Sequence, residues 1–113
     1  MKFVLLAALV AALLVPAAFA ATPTLKGVVG PSFTITLTKN GVKVKKLAAG
    51  TYVFKISDKS GIHNFHLTGP GIDKKTGVGF QGAVTWKLKL KKGTYKYVCD
   101  PHSSFMKGSF SVS

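Results

Sequence analysis

The 113-residue chain has no glutamate and no arginine, only three aspartates (Asp58, Asp73 and Asp100), a single cysteine and a single tryptophan. Each shortage excludes something. Three carboxylates leave almost no material for carboxylate acid–base chemistry. Without arginine the chain lacks the fork that grips bases and phosphates through paired hydrogen bonds, so a formal charge of +13, carried by sixteen lysines, does not point to nucleic acid. One cysteine cannot close an internal disulfide, so Cys99 is a free thiol, an intermolecular linker or a metal ligand.

Long apolar runs are also missing, with one exception at the start. Lys2 precedes an unbroken apolar stretch from Phe3 to Val15, Pro16 breaks it, and Ala18 and Ala20 are small residues at the spacing a signal peptidase reads. A bilayer-spanning helix needs about 20 apolar residues, more than this run supplies. The N-terminus therefore reads as a secretory signal over residues 1–20, cleaved near Ala20–Ala21. Residues 21–113 form the expected single domain, in a periplasmic or extracellular protein. With Lys2 removed, fifteen lysines face three aspartates, a net charge of +12. Such a field suits acidic partners and allows peripheral contact with anionic membranes.

Helical periodicity is absent after the leader, and period-two alternation dominates. Candidate strands are TLKGVVG, SFTITLT (Ser32 to Thr38), VKVKKL, TYVFKIS, IHNFHL, AVTWKLKLK, TYKYVC and GSFSVS. Tyr52, Phe54 and Ile56 share one face, as do Val84, Trp86, Leu88 and Leu90, and these faces are the expected core. Lys87, Lys89 and Lys91 alternate on the opposite, solvent side. Seven or eight short strands with regular turn signals predict an all-β, antiparallel sandwich or barrel. Thr68 to Gly82 lacks periodicity and reads as a long loop.

Chemistry concentrates in YKYVCDPHSSFMKG, where Cys99, His102 and Met106 fall within eight residues, and His63 lies on a separate segment. Two imidazoles, a thiolate and a weak thioether make up the donor set of blue copper centres: the sulfurs favour Cu(I) and imidazole suits Cu(II). His66 lies three residues after His63, so on a strand it faces the other way. His63 shares parity with Phe65 and Leu67, although Ile62 lies on the His66 side. Zinc would favour more cysteine or histidine and no methionine.

The run GTYKYVCDPHSSFMKGSFSV, with IHNF upstream, resembles the cupredoxins, the family of plastocyanin, azurin and amicyanin. The resemblance spans about Leu25 to Val112. It implies a Greek-key β-sandwich, one copper ion held by His63, Cys99, His102 and Met106, and an Asn64 that ties the two ligand loops together. It also implies a one-electron carrier that exchanges electrons through His102, with Pro101, Phe105 and Pro70 as the apolar contact patch. The lysine field would steer it to an acidic redox protein, and a monomeric, non-enzymatic domain is the expectation. Three residues, Ser103 to Phe105, separate His102 from Met106, between the lengths usual in amicyanins and plastocyanins. Two other functions remain open from the residues alone: copper handling without electron shuttling, and a cationic module for acidic polymers or membranes.

Overall fold

A computed structural model describes residues 21–113. The expected leader over residues 1–20 and its cleavage point lie outside the described residues. The strands are β1 (Thr24–Val29), β2 (Ile35–Lys39), β3 (Val42–Lys43), β4 (Lys46–Leu47), β5 (Gly50–Asp58), β6 (His66–Gly69), β7 (Ile72–Lys75), β8 (Gly82–Leu90), β9 (Gly93–Val98) and β10 (Lys107–Val112). They form two five-stranded sheets, ordered β3-β2-β1-β5-β8 and β4-β10-β9-β6-β7.

The chain passes repeatedly from one sheet to the other, giving a Greek-key β-sandwich. The sheets are mixed rather than purely antiparallel. β1 runs parallel to β5 and β4 runs parallel to β10, because each pair is joined through strands of the opposite sheet.

Alternation places the core as expected. Tyr52, Phe54 and Ile56 of β5, Tyr95 and Tyr97 of β9, and Phe110 and Val112 of β10 are buried between the sheets. Tyr97 stacks on Phe65 at 5.6 Å and Tyr95 on Phe110 at 5.2 Å between ring centroids. Gly108 lies opposite Tyr97 on the neighbouring strand, and a Cβ there would collide with the tyrosine ring. Trp86 and its β8 neighbours Val84 and Leu88 are half-buried, because β8 is the edge of its sheet.

Several elements depart from the expectations. The segment read as a loop from Thr68 to Gly82 contains β7, paired with β6 in a hairpin. Of β7 only Ile72 is partly buried, so no alternation betrays it. VKVKKL divides into two two-residue strands in different sheets. The β2 strand starts at Ile35, leaving Ser32 and Phe33 in a bend. His63 is not on a strand: β6 begins only at His66.

Val29 at the end of β1 pairs with Asp58 at the end of β5, and Asp58 with Gly82 at the start of β8. The β1–β2, β5–β6, β7–β8 and β9–β10 connections consequently gather at one end of the sandwich.

Candidate metal centre

Cys99 directly follows β9, so the strand fixes its position, and its side chain is fully buried. Pro101 then enforces the backbone of a single 3₁₀ turn, Asp100–His102, with the His102 N–H donating to the Cys99 carbonyl at 3.0 Å. The Met106 N–H returns to the His102 carbonyl at 2.9 Å, and the Cys99 N–H donates to the Met106 carbonyl at 3.0 Å. Met106 is buried at the mouth of β10. With the Phe105 N–H also donating to the His102 carbonyl, a loop closed by four internal hydrogen bonds holds Cys99, His102 and Met106 together.

His63 reaches this loop from the β5–β6 connection and is fully buried. Its Nδ1 lies 3.2 Å from His102 Nδ1 and 3.7 Å from Cys99 Sγ, while Cys99 Sγ lies 3.5 Å from His102 Nδ1. Among the described residues, these three are the one group of His, Cys and Asp donors whose atoms converge closely enough for a metal ion. Trigonal ligands with metal–nitrogen bonds of ~2.0 Å and a metal–sulfur bond of ~2.3 Å would sit roughly 3.5–3.8 Å apart, so the donor triangle suits one soft ion.

Asn64 joins the two halves. Its Oδ1 accepts from the Asp100 N–H at 2.7 Å, and its Nδ2 donates to Asp100 Oδ2 at 2.7 Å and to the Thr76 carbonyl at 3.2 Å. The residue after His63 is thus bonded to the residue after Cys99. Thr76 adds a third loop: its Oγ1 accepts from the Phe65 N–H at 2.8 Å, and its own N–H donates to the Phe65 carbonyl at 3.0 Å.

His66 belongs to a different constellation. It sits on the outer face of β6, with Nδ1 2.8 Å from Asp100 Oδ1 and Nε2 2.6 Å from Asp73 Oδ1. Partial burial acts to lower its pKa, but hydrogen bonds and charge from Asp100 and then Asp73 outweigh this and raise it. For Asp100 burial acts upward, but the bonds from His66 and Asn64 hold the carboxyl below its usual value. Asp58, at the end of β5, is 2% exposed; burial pushes its pKa up against the opposing pull of the Ser60 N–H and nearby His63.

Phe33 escaped the sequence reading. It stands edge-on to both imidazoles, 5.3 Å from His63 and 5.0 Å from His102, and leans on Phe105 at 6.0 Å. Gly30, at the root of the same loop, has φ of +71°, and a Cβ there would lie 3.0 Å from the His63 ring. An apolar residue just after a Gly-Pro turn, between two strands, is the only signal the sequence offers for this lid. Pro70, expected in the contact patch, lies instead at the opposite end of the sandwich, where it covers Gly93. It sits in the β6–β7 turn, which points away from the metal loops.

A Cys-His-His triangle with two residues buried and His102 half-buried, beside a loop that also carries the buried Met106, on an all-β sandwich is the donor arrangement of a copper protein of the blue type. Residues 28–113 match the family described as copper binding proteins, plastocyanin/azurin family, and the chain belongs to that family. Reduced rusticyanin is similar in structure, with a TM-score of 0.58 and 22% identity over 82% of this chain and 81% of that one. A second rusticyanin structure gives 0.57 at 21% identity, over 82% and 80% of the two chains. A multi-copper oxidase from Pediococcus acidilactici gives 0.56 at 17% identity over 83% of this chain, but only 27% of its own length is covered. No sequence match was found among curated proteins. One copper ion is the cofactor that the family and this donor set share.

Proposed function

We propose that the protein is an exported blue copper electron carrier, with His63, Cys99 and His102 as the strong ligands and Met106 as the weak axial one. The observation that carries this reading is the donor triangle of 3.2, 3.5 and 3.7 Å, built from two separate connections. Copper would supply the Cu(I)/Cu(II) couple. The protein's part is to hold the donors still: strand β9 and the 3₁₀ turn fix Cys99 and His102, Asn64 fixes the His63 connection against them, and Phe33 and Phe105 shield both rings from water. Ligands that do not move between oxidation states keep reorganisation small, which is what one-electron exchange needs.

The route for the electron is the half-buried His102. Phe33, Ile62, Val78, Phe80 and Phe105 are exposed apolar residues, and all five lie on the connections at this end. They form a docking collar, while lysines on the sheet faces and at the far end steer an acidic redox partner toward it. Like its leader, the protein's monomeric state and its place outside the cytoplasm belong to this reading. In this reading the protein carries electrons and transforms no substrate.

The test is reversible one-electron cycling of the copper-loaded protein, with self-exchange followed by NMR line broadening. Rapid exchange is expected. Slow exchange, combined with ready transfer of copper to an acceptor protein, would show a copper-handling protein instead.

A further inference from the structure

Lysines cover much of this surface, some as alternating outward residues of strands such as Lys87 and Lys89 and some as adjacent pairs such as Lys74 and Lys75. One seam is different. Where the β2–β3 edge of the first sheet meets β10 of the second, Lys43, Lys96 and Lys107 line a cleft of about 440 Å³ together with Val98, Gly108 and Ser109. The strand register explains the convergence: Lys107 pairs with Val98 and Ser109 with Lys96, so all four point outward from adjacent strands, and Lys43 closes the cleft from the opposing sheet. A narrower hollow of about 140 Å³ adjoins it, again lined by Lys43 and Lys107, with Thr36, Thr38 and Tyr97. Beyond Lys43, Lys39, Lys45 and Lys46 rim a further depression.

No carboxylate lines this cleft. Asp58 is buried at the metal end of β5, and the two ion pairs found among the described residues commit Asp73 and Asp100 to His66. Three lysines lining one concavity concentrate positive charge there. Solubility does not require that arrangement, whereas an anion held in the cleft would offset it. Each ammonium offers three donors, and the Ser109 hydroxyl adds a fourth group that can turn to suit an acceptor.

We propose that this cleft is a binding site for a small, multiply charged oxyanion of the phosphate class, contacted by Lys43, Lys96, Lys107 and Ser109. The volume lies in the range of small-ligand pockets, and a recessed site favours a free anion over a lipid headgroup held at a flat membrane surface. Val98 and Lys107 adjoin Cys99 and Met106 in the chain, but no metal ligand lines the cleft, so the proposal does not rest on the assignment of the copper centre.

The experiment titrates inorganic pyrophosphate into the copper-loaded, reduced protein at constant ionic strength, with amide NMR shifts and calorimetry as readouts. Saturable one-site binding is expected, with the largest shifts at Lys43, Lys96, Lys107 and Ser109. Lys107 adjoins Met106, so Lys43→Gln, on another sheet, serves as the independent variant; each substitution should weaken binding about tenfold, the size expected for a lost charge-assisted hydrogen bond. The double substitution Lys87→Gln with Lys89→Gln, on the outer face of β8, should leave the affinity within about twofold, as distant exposed charges are screened. Equal weakening by the β8 control, absence of saturation, or binding to phosphatidylglycerol vesicles without binding to pyrophosphate would each overturn the proposal.

Discussion

The two ends of the sandwich are built on different principles. At the far end the connections are tight turns held by local contacts. Asn40 and Gly41, with φ of +49° and +78°, turn β2 into β3, the conformation that Asn-Gly favours. Tyr95 Oη donates to the Lys91 carbonyl and accepts from the Lys91 N–H, both at 2.9 Å, pinning the β8–β9 turn only four residues away. At the metal end the connections are longer and are held by one another. Asn64, Thr76 and Asp100 belong to three different connections and share a single hydrogen-bond network. Local turns shape a chain; cross-bonded loops can hold four side chains at one point.

That contrast can be broken most severely at Asn64. Asn64→Ala removes three hydrogen bonds and leaves the Asp100 N–H without its acceptor, which should cost about 3 kcal/mol in chemical denaturation and loosen copper binding. A loss below ~1 kcal/mol would mean that the loops stand independently. At the far end Tyr95→Phe removes only the hydroxyl's two bonds. Its expected cost is about 1–2 kcal/mol, with the copper spectrum unchanged because the perturbation stays local.

The smallest effect belongs to His66 and depends on pH. Its folded pKa is raised, so the stability it contributes is fully present below its unfolded value of about 6.5 and is lost as pH rises through the folded value. In the copper-loaded protein the stability gap between wild type and His66→Asn should therefore be largest near pH 5–6, at about 1 kcal/mol, and shrink toward pH 8–9. A gap that widens with rising pH would contradict the His66–Asp73–Asp100 arrangement.

The same contrast governs what could be read from the sequence. The closeness of Cys99, His102 and Met106 was legible because Pro101 turns the chain straight after a strand, so the eight residues fold back on themselves instead of running extended. Core faces such as Tyr52, Phe54 and Ile56 were legible because strand parity is a local property. His63 could be chosen over His66 through Asn64, and the structure gives the reason: Asn64 bonds the Cys99 loop, while His66 faces outward to Asp73 and Asp100. Phe33 and Thr76 were illegible, since their roles exist only once four connections share one end. Pro70 was misplaced for the same reason, and β7 was missed because an exposed edge strand needs no alternation. Parallel pairing of β1 with β5 is likewise set by the route of the chain between sheets, not by either strand's residues.

The proposed copper site rests on Cys99 as its thiolate, completed by His63, His102 and Met106. Its most direct test is the visible and paramagnetic resonance spectrum of the Cu(II)-loaded protein beside that of Cys99→Ser. An intense blue sulfur-to-copper band with a narrow copper hyperfine splitting is expected in the wild type, and loss of both in the variant. A colourless wild-type complex, or a band that survives in Cys99→Ser, would contradict it.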